Sequence, residues 1–324
     1  MTGLLLAARP FYLSGGLMLY ALGVLAGSRR DAAAIAVGTL VVVLVHVVTH
    51  YVNDAEDVVT DDRTASPTAF TGGSRAIQRG LVTPAVLLRA GAVLSAVVGG
   101  VVAWEIAEGD GTAAALHLAI LVLGYAYSGR PFALGRRGLG EVTTATVMGV
   151  LVPLAGAHAA GGTVPVAILA LLFVMTLFAR LCTAWPDVDA DRDTGKRTLP
   201  VLLGPAHVAI GFAVTALVVA GVGVFAGALA AAPVTLAAAW IAWMIHTGRA
   251  ARRPVLVPMA GVAAYGAGLF VLLATPPHGF RPAGIAIGAA HAGVSGWPPA
   301  YPGGLPAPTP RSRTVRPLRK FRRS

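Results

Sequence analysis

Nine windows of about 20 mostly apolar residues run through the first 275 positions of this chain. They lie at approximately 10–28, 33–52, 81–104, 112–128, 139–157, 163–183, 206–230, 233–248 and 255–274. Wound as an α-helix, such a window crosses the roughly 30 Å hydrocarbon core of a bilayer. Helices are the expected spanning element, because an unpaired backbone group in lipid is too costly. Composition agrees: 12% of residues are charged and 56% hydrophobic, against about 25% charged in an ordinary soluble domain. The 40 glycines favour close helix–helix approach. The expected fold is therefore an all-α membrane protein with nine transmembrane helices.

Two domains follow from the same pattern: a transmembrane domain over 1–275 and a tail over 276–324. The tail is rich in Pro, Gly and Ala and ends in a basic run, so it is expected to be disordered. Its cations could touch anionic lipid. The single cysteine, Cys182, lies in an apolar run, which excludes a disulfide framework and predicts a buried thiol. No cleavable signal peptide is expected, since Arg9-Pro10 leads into a full-length span. A net charge of +11 would suggest nucleic acid in a soluble protein. In a membrane chain its placement in loops matters more, and no nucleic-acid partner is expected.

That placement sets an orientation. With nine spans, the N-terminus and loops 2–3, 4–5, 6–7 and 8–9 share one side. They collect thirteen basic residues, against Arg29 and Arg30 in the opposite loops. Basic loops stay inside, which predicts a cell-membrane protein with a cytoplasmic N-terminus. The eight basic residues of the tail would then lie outside, but long terminal segments follow the rule poorly.

Acidic residues are scarce and gathered. Nine of the 14 lie in two stretches, N53-D-A-E-D-V-V-T-D-D62 and D187-V-D-A-D-R-D193, each closing an apolar run. If the second helix continues past the membrane, Asp54, Asp57 and Asp61 share one face. Asp187 and Asp191 are likewise one turn apart, with Asp189 and Asp193 pointing elsewhere. Like charges this close need a cation between them. Hard oxygen ligands suit Mg²⁺, which holds one or two carboxylates together with substrate phosphates. Arg75, Arg130, Lys196 and Arg197 occupy the same set of loops and suit a diphosphate. Each of them alone could serve only to set topology.

His46 and His50 stand one turn apart in the second helix and are expected to line a cavity or support the structure. Arg89 and Arg180 lie within helices and either snorkel or reach the cavity. Tyr125, Tyr127 and Trp185 suit an interfacial belt or an active-site wall.

The first acidic stretch fits the N-D-x-x-D-x-x-x-D motif of the UbiA superfamily of intramembrane prenyltransferases, and D187-V-D-A-D191 resembles its second motif. R192-D-T-G-K-R-T-L-P-V-L-L-G204, R9-P10 and Y127-S-G-R-P…G138-L-G-E141 are also similar to family sequences. The resemblance spans residues 9–274. It implies a helical bundle around a central cavity, with a cytoplasmic cap formed by loops 2–3 and 6–7. It further implies that Asp54, Asp57, Asp61, Asp187 and Asp191 hold Mg²⁺ and the diphosphate of a polyprenyl donor, with Asn53 assisting, and that a small aromatic acceptor is prenylated. F70-T-G-G-S-R-A-I-Q-R-G and the G-L-G-E turn look most like the branch that prenylates 1,4-dihydroxy-2-naphthoate in menaquinone biosynthesis. That branch carries N-N-x-R-D where this chain has T183-A-W-P-D, so another lipid or secondary-metabolite acceptor stays open. A multi-pass transporter is the alternative from another class; it predicts acids near the bilayer midplane rather than at one face. A CDP-alcohol phosphotransferase would need a D-G-x-x-A-R element, which the sequence lacks.

Overall fold

The computed structural model describes residues 2–29, 31–64, 67, 71–225, 229–253 and 256–275. The 276–324 tail, Arg30 and Phe70 lie outside the described residues. All regular structure among the described residues is helical. In order these are α1 (Thr2–Ala7), α2 (Pro10–Leu25), α3 (Ala32–Glu56), α4 (Val58–Arg63), α5 (Pro84–Ala107), α6 (Gly111–Ser128) and α7 (Gly140–Thr146). They continue with α8 (Val152–Ala159), α9 (Val166–Ala184), α10 (Val188–Asp193), α11 (Leu199–Phe225), α12 (Ala231–His246), α13 (Arg249–Arg252) and α14 (Leu256–Ala274). A π-helical turn, Val147–Leu151, joins α7 to α8 into one rod.

Among the described residues, seven helices are long and apolar enough to cross a membrane: α3, α5, α6, the α7–α8 rod, α9 with α10, α11 and α14. The apolar helices α2 and α12 have 16 residues each, or about 24 Å at 1.5 Å per residue, a little short of the hydrocarbon core. Helix starts follow local chemistry. The Asp31 carboxylate accepts hydrogen bonds from Ala33 and Ala34 N–H at 3.0 and 3.1 Å, capping α3. Proline occupies the first turn of α2 and α5, where its missing N–H costs nothing.

The apolar faces close on a core that includes Leu19, Leu22, Leu171, Phe178, Phe212 and Ile241. Phe178 and Phe212 meet edge to face at 5.8 Å, tying α9 to α11. Where α2 crosses α8, a Cβ on Gly23 would strike the Pro153 carbonyl, and one on Gly156 the Tyr20 carbonyl. Absent side chains let these backbones touch. A smaller cluster of Ala7, Tyr51, Ala76 and Leu87 pins α1 and the 71–79 loop against α3 and α5, and Tyr51 Oη donates to the Leu4 carbonyl at 3.1 Å.

Three local features depart from the apolar windows. The short α1 is too brief to register as a span. The helix after residue 193 starts at Leu199 rather than 206, because one helical turn precedes a kink at Gly204 (φ 73°, ψ 168°) and Pro205. The second predicted helix does not continue unbroken through the acidic motif, and this break shapes the site.

Candidate functional site

Helix α3 carries Asn53 and Asp54 in its last turn, then leaves helical geometry at Asp57 (φ −101°, ψ 13°) before α4 restarts at Val58. The break lets the three acids serve different partners. Asp54, 3% exposed, is held by the Arg9 guanidinium and the Ser74 hydroxyl. Asp57 receives Asn53 Nδ2 at 2.8 Å, Arg136 Nη1 at 3.3 Å and Lys196 Nζ at 2.7 Å. Asp61 lies against Gly73, whose missing Cβ leaves the room its carboxylate fills. Gly73 holds φ +74°, a left-handed conformation that disfavours any other residue here.

The second acidic stretch closes α9. Pro186, in the 3₁₀ turn Trp185–Asp187, ends the long helix, and α10 turns Asp191 inward while Asp189 is exposed. Asp187 accepts from Thr64 Oγ1 at 3.2 Å and from Gly72 N–H at 3.4 Å. Asp191, 2% exposed, accepts from Thr198 Oγ1 at 3.2 Å. Its Oδ1 lies 3.5 Å from Lys196 Nζ and has no hydrogen-bond partner.

The two stretches therefore meet. Lys196 sits between Asp57 and Asp191, though Asp57 and Lys196 are 139 residues apart in sequence. Thr60 and Thr194 hydroxyls touch at 3.0 Å, and Arg63 Nη1 donates to the Asp193 carbonyl at 2.9 Å, lacing α4 to α10. Burial alone would lower the Lys196 pKa, but the Asp57 and Asp191 charges outweigh it and hold the ammonium above its ordinary range. Asp61 moves the other way. Burial, with Asp57 and Asp54 beside it, pushes its carboxyl up to about 8.

A site whose burial and neighbouring acids push one carboxyl up, and which leaves a buried carboxylate oxygen unbonded, has room for more positive charge. A divalent cation fits there. Among the described residues no three His, Cys, Asp or Glu side chains already form a closed cage. An open donor set suits an ion that takes its remaining oxygens from phosphate and water.

Beside the carboxylates lies a cavity of about 340 Å³ whose wall includes Arg9 and Asn53. Met18, Val42, Val45, Leu123, Met148 and Leu269 make it apolar, and Tyr12, Tyr127, His46 and His50 add aromatic faces. Tyr12 stacks on His50 with centroids 5.8 Å apart, and His46 Nε2 lies 3.1 Å from the Ala8 carbonyl. Arg180 reaches the cavity rather than snorkelling away: it donates to Tyr127 Oη at 2.7 Å and to Thr183 Oγ1 at 2.9 Å.

The sequence profile of the UbiA prenyltransferase family matches residues 11–256. The chain belongs to the UbiA prenyltransferase family. Solved UbiA structures share its fold. A UbiA homolog from Archaeoglobus fulgidus bound to GPP and Mg²⁺ is 19% identical at a TM-score of 0.56, covering 84% of this chain and 99% of its own. The apo UbiA homolog from Aeropyrum pernix K1 is 21% identical at a TM-score of 0.53, covering 83% and 97%. A digeranylgeranylglyceryl phosphate synthase is 15% identical at a TM-score of 0.51, covering 85% and 98%. No curated protein sequence matches the chain.

Within this UbiA fold, Asn53, Asp54, Asp57, Asp61, Asp187, Asp191 and Lys196 gather beside the cavity, joined to its wall through Arg9 and Asn53. Arg75 borders them, donating to the Asp61 carbonyl at 2.6 Å. Arg130 and Arg197 do not join. Arg130 has 84% of its side chain exposed and donates to Glu56 at 3.1 Å. Arg197 is exposed, and its backbone N–H donates to the Arg136 carbonyl at 3.0 Å. Arg136 takes the place expected of them, bonding Asp57 and, at 3.1 Å, the Thr194 carbonyl. In the sequence Arg136 stands only among the thirteen topology-setting cations, and Arg9 stands there too and in the R9-P10 match. Ser74, one residue before Arg75, went unmarked.

Proposed function

We propose that this protein transfers a polyprenyl group from a polyprenyl diphosphate to an aromatic acceptor, using Mg²⁺. One observation carries the reading: acids from two distant segments converge on Lys196 beside an apolar, aromatic-walled cavity. Asp54, Asp57, Asp61, Asp187 and Asp191 are the residues that would hold the metal. When bound, Mg²⁺ would neutralise the departing diphosphate as the allylic C–O bond lengthens.

The rest falls to the chain. Lys196, Arg136 and Arg75 offer charge-assisted hydrogen bonds to diphosphate oxygens. Asn53 keeps Asp57 oriented through its 2.8 Å bond while its second N–H is held by Ser128 Oγ at 3.0 Å. The cavity excludes water from the allylic cation, and the rings of Tyr12 and Tyr127 give that cation a negative π face.

Residues 1–275 would form the catalytic domain, with α2 and α12 completing nine crossings and 276–324 a separate tail. The loop charges favour a cell-membrane location with the N-terminus and the acidic site cytoplasmic and loops 2–3 and 6–7 capping it. The F70-T-G-G-S-R stretch and the G-L-G-E turn favour a 1,4-dihydroxy-2-naphthoate-type acceptor in menaquinone biosynthesis. The fold shared with digeranylgeranylglyceryl phosphate synthase supports a lipid acceptor as the second reading.

The test is diphosphate release by purified protein from dimethylallyl, geranyl and longer donors, with Mg²⁺, and with and without 1,4-dihydroxy-2-naphthoate. Acceptor-dependent release that disappears in Asp54→Ala and Asp187→Ala supports the proposal. Undiminished turnover in both variants overturns the site; release without prenylated naphthoate overturns the acceptor.

A further inference from the structure

Away from the acidic site, α12 turns an apolar stripe outward. Leu236, Trp240 and Trp243 follow at spacings of four and three, and all are exposed. The stripe ends in a groove of about 350 Å³ lined by Trp240, Trp243, Met244, Arg249, Arg253 and Leu256. Past the turn at Thr247 and Gly248 the chain folds back, so that the Arg249 guanidinium lies 4.4 Å from the centre of the Trp243 ring.

Among the described residues that line it, the groove has two cations and no acid. No Asp or Glu follows Asp193 anywhere in the chain. None of the ion pairs among the described residues includes Arg249 or Arg253. An anion from outside the chain would complete the groove. Tryptophan at a helix end suits the depth of lipid headgroups, and arginine binds phosphate oxygens through two parallel N–H groups.

We propose that this groove binds an anionic phospholipid, its phosphate held by Arg249 and Arg253 and an acyl chain lying along Trp243, Trp240 and Leu236. The site is separate from the carboxylates and does not depend on the transfer reaction. At roughly fivefold per arginine near a membrane surface, two should favour an anionic over a zwitterionic lipid by about 30-fold.

The experiment reconstitutes the full chain in phosphatidylcholine bilayers. Tryptophan quenching by brominated phosphatidylglycerol is then compared with quenching by brominated phosphatidylcholine. Preferential quenching by phosphatidylglycerol is expected in the wild type. It should vanish in Arg249→Gln/Arg253→Gln and in Trp240→Phe/Trp243→Phe, the latter because the reporters are gone. It should persist when the basic residues after 275 are changed to Gln. A wild type without preference, a double arginine variant that keeps it, or a tail variant that loses it would each overturn the proposal. So would abolition of the preference by inorganic phosphate at the concentration of the lipid, which would make this a free-anion site.

Discussion

Lys196→Met removes one ammonium and leaves two carboxylates facing each other. The lysine side chain is 11% exposed, and those of Asp57 and Asp191 are 6% and 3% exposed, so solvent screens little of the interaction. Breaking a buried ion pair by deleting one partner costs about 3–5 kcal/mol, because the surviving charge stays desolvated. At roughly 2–4 °C per kcal/mol for a domain of this size, the metal-free variant should melt on the order of 10 °C below wild type. Methionine keeps the length of the stem, so packing changes contribute little.

Adding Mg²⁺ separates electrostatics from simple misfolding. The freed Asp57 and Asp191 oxygens are donors for the metal, so Mg²⁺ should raise the variant's melting temperature more than the wild type's. Turnover should still fall by about 10- to 100-fold, the value of one charge-assisted hydrogen bond to the diphosphate. Lys196→Arg should recover stability only in part, since a planar fork cannot take the place of a compact point charge between two carboxylates. Thermal unfolding in detergent, in EDTA and then in Mg²⁺, reads the wild type and both variants. A metal-free Lys196→Met protein that melts within about 1 °C of wild type would show that Lys196 does not bridge the motifs, and the argument for a shared site would fail.

Two further expectations concern the same pocket. Folding holds the Asp61 proton up to about pH 8, whereas an unfolded aspartate loses it near pH 4. Its stabilising contribution is thus complete below about pH 4 and disappears as the pH climbs to about 8. Asp61→Asn should flatten this part of the pH dependence of metal-free unfolding; an unchanged slope means another group is responsible. Gly73→Ala sets a methyl group on the Asp61 carboxylate, while Gly80→Ala, also at positive φ, meets nothing within 4 Å. The second should cost only the left-handed strain of about 1–2 kcal/mol. The first should also cut turnover more than tenfold, and equal turnover in the two variants contradicts the placement of Gly73.

The windows that cross the bilayer were readable because twenty apolar residues in a row have few other uses. Their ends were less so. Gly204 and Pro205 break α11 five and six residues after it begins at Leu199, and a hydropathy window sees the apolar residues but not the positive φ. The acids were readable for the opposite reason. With 14 in the chain, gathering nine in two places is a departure that composition alone exposes. What spacing could not show was the break at Asp57, which sends Asp54 to Arg9 and Asp57 to Lys196. Helical periodicity assumes an unbroken helix, and here tertiary partners decide where it stops.

The cations show where such reading runs out, and why Lys196 escapes the limit. Basic residues crowd the loops of any membrane protein for topological reasons, so a place in the right loop does not distinguish Arg130, which faces solvent, from Arg136, which bonds Asp57. Only the path of the loop separates them. Lys196 is different, because it is the sole lysine in the first 275 residues, where every other fixed cation is arginine. A guanidinium is a flat fork that matches one carboxylate edge; an ammonium is a small point charge with donors free to turn toward two. One lysine in a chain that otherwise chooses arginine thus signals a position where shape matters as well as charge. The space between Asp57 at 2.7 Å and Asp191 at 3.5 Å is such a position, and it is the junction on which both acidic motifs depend.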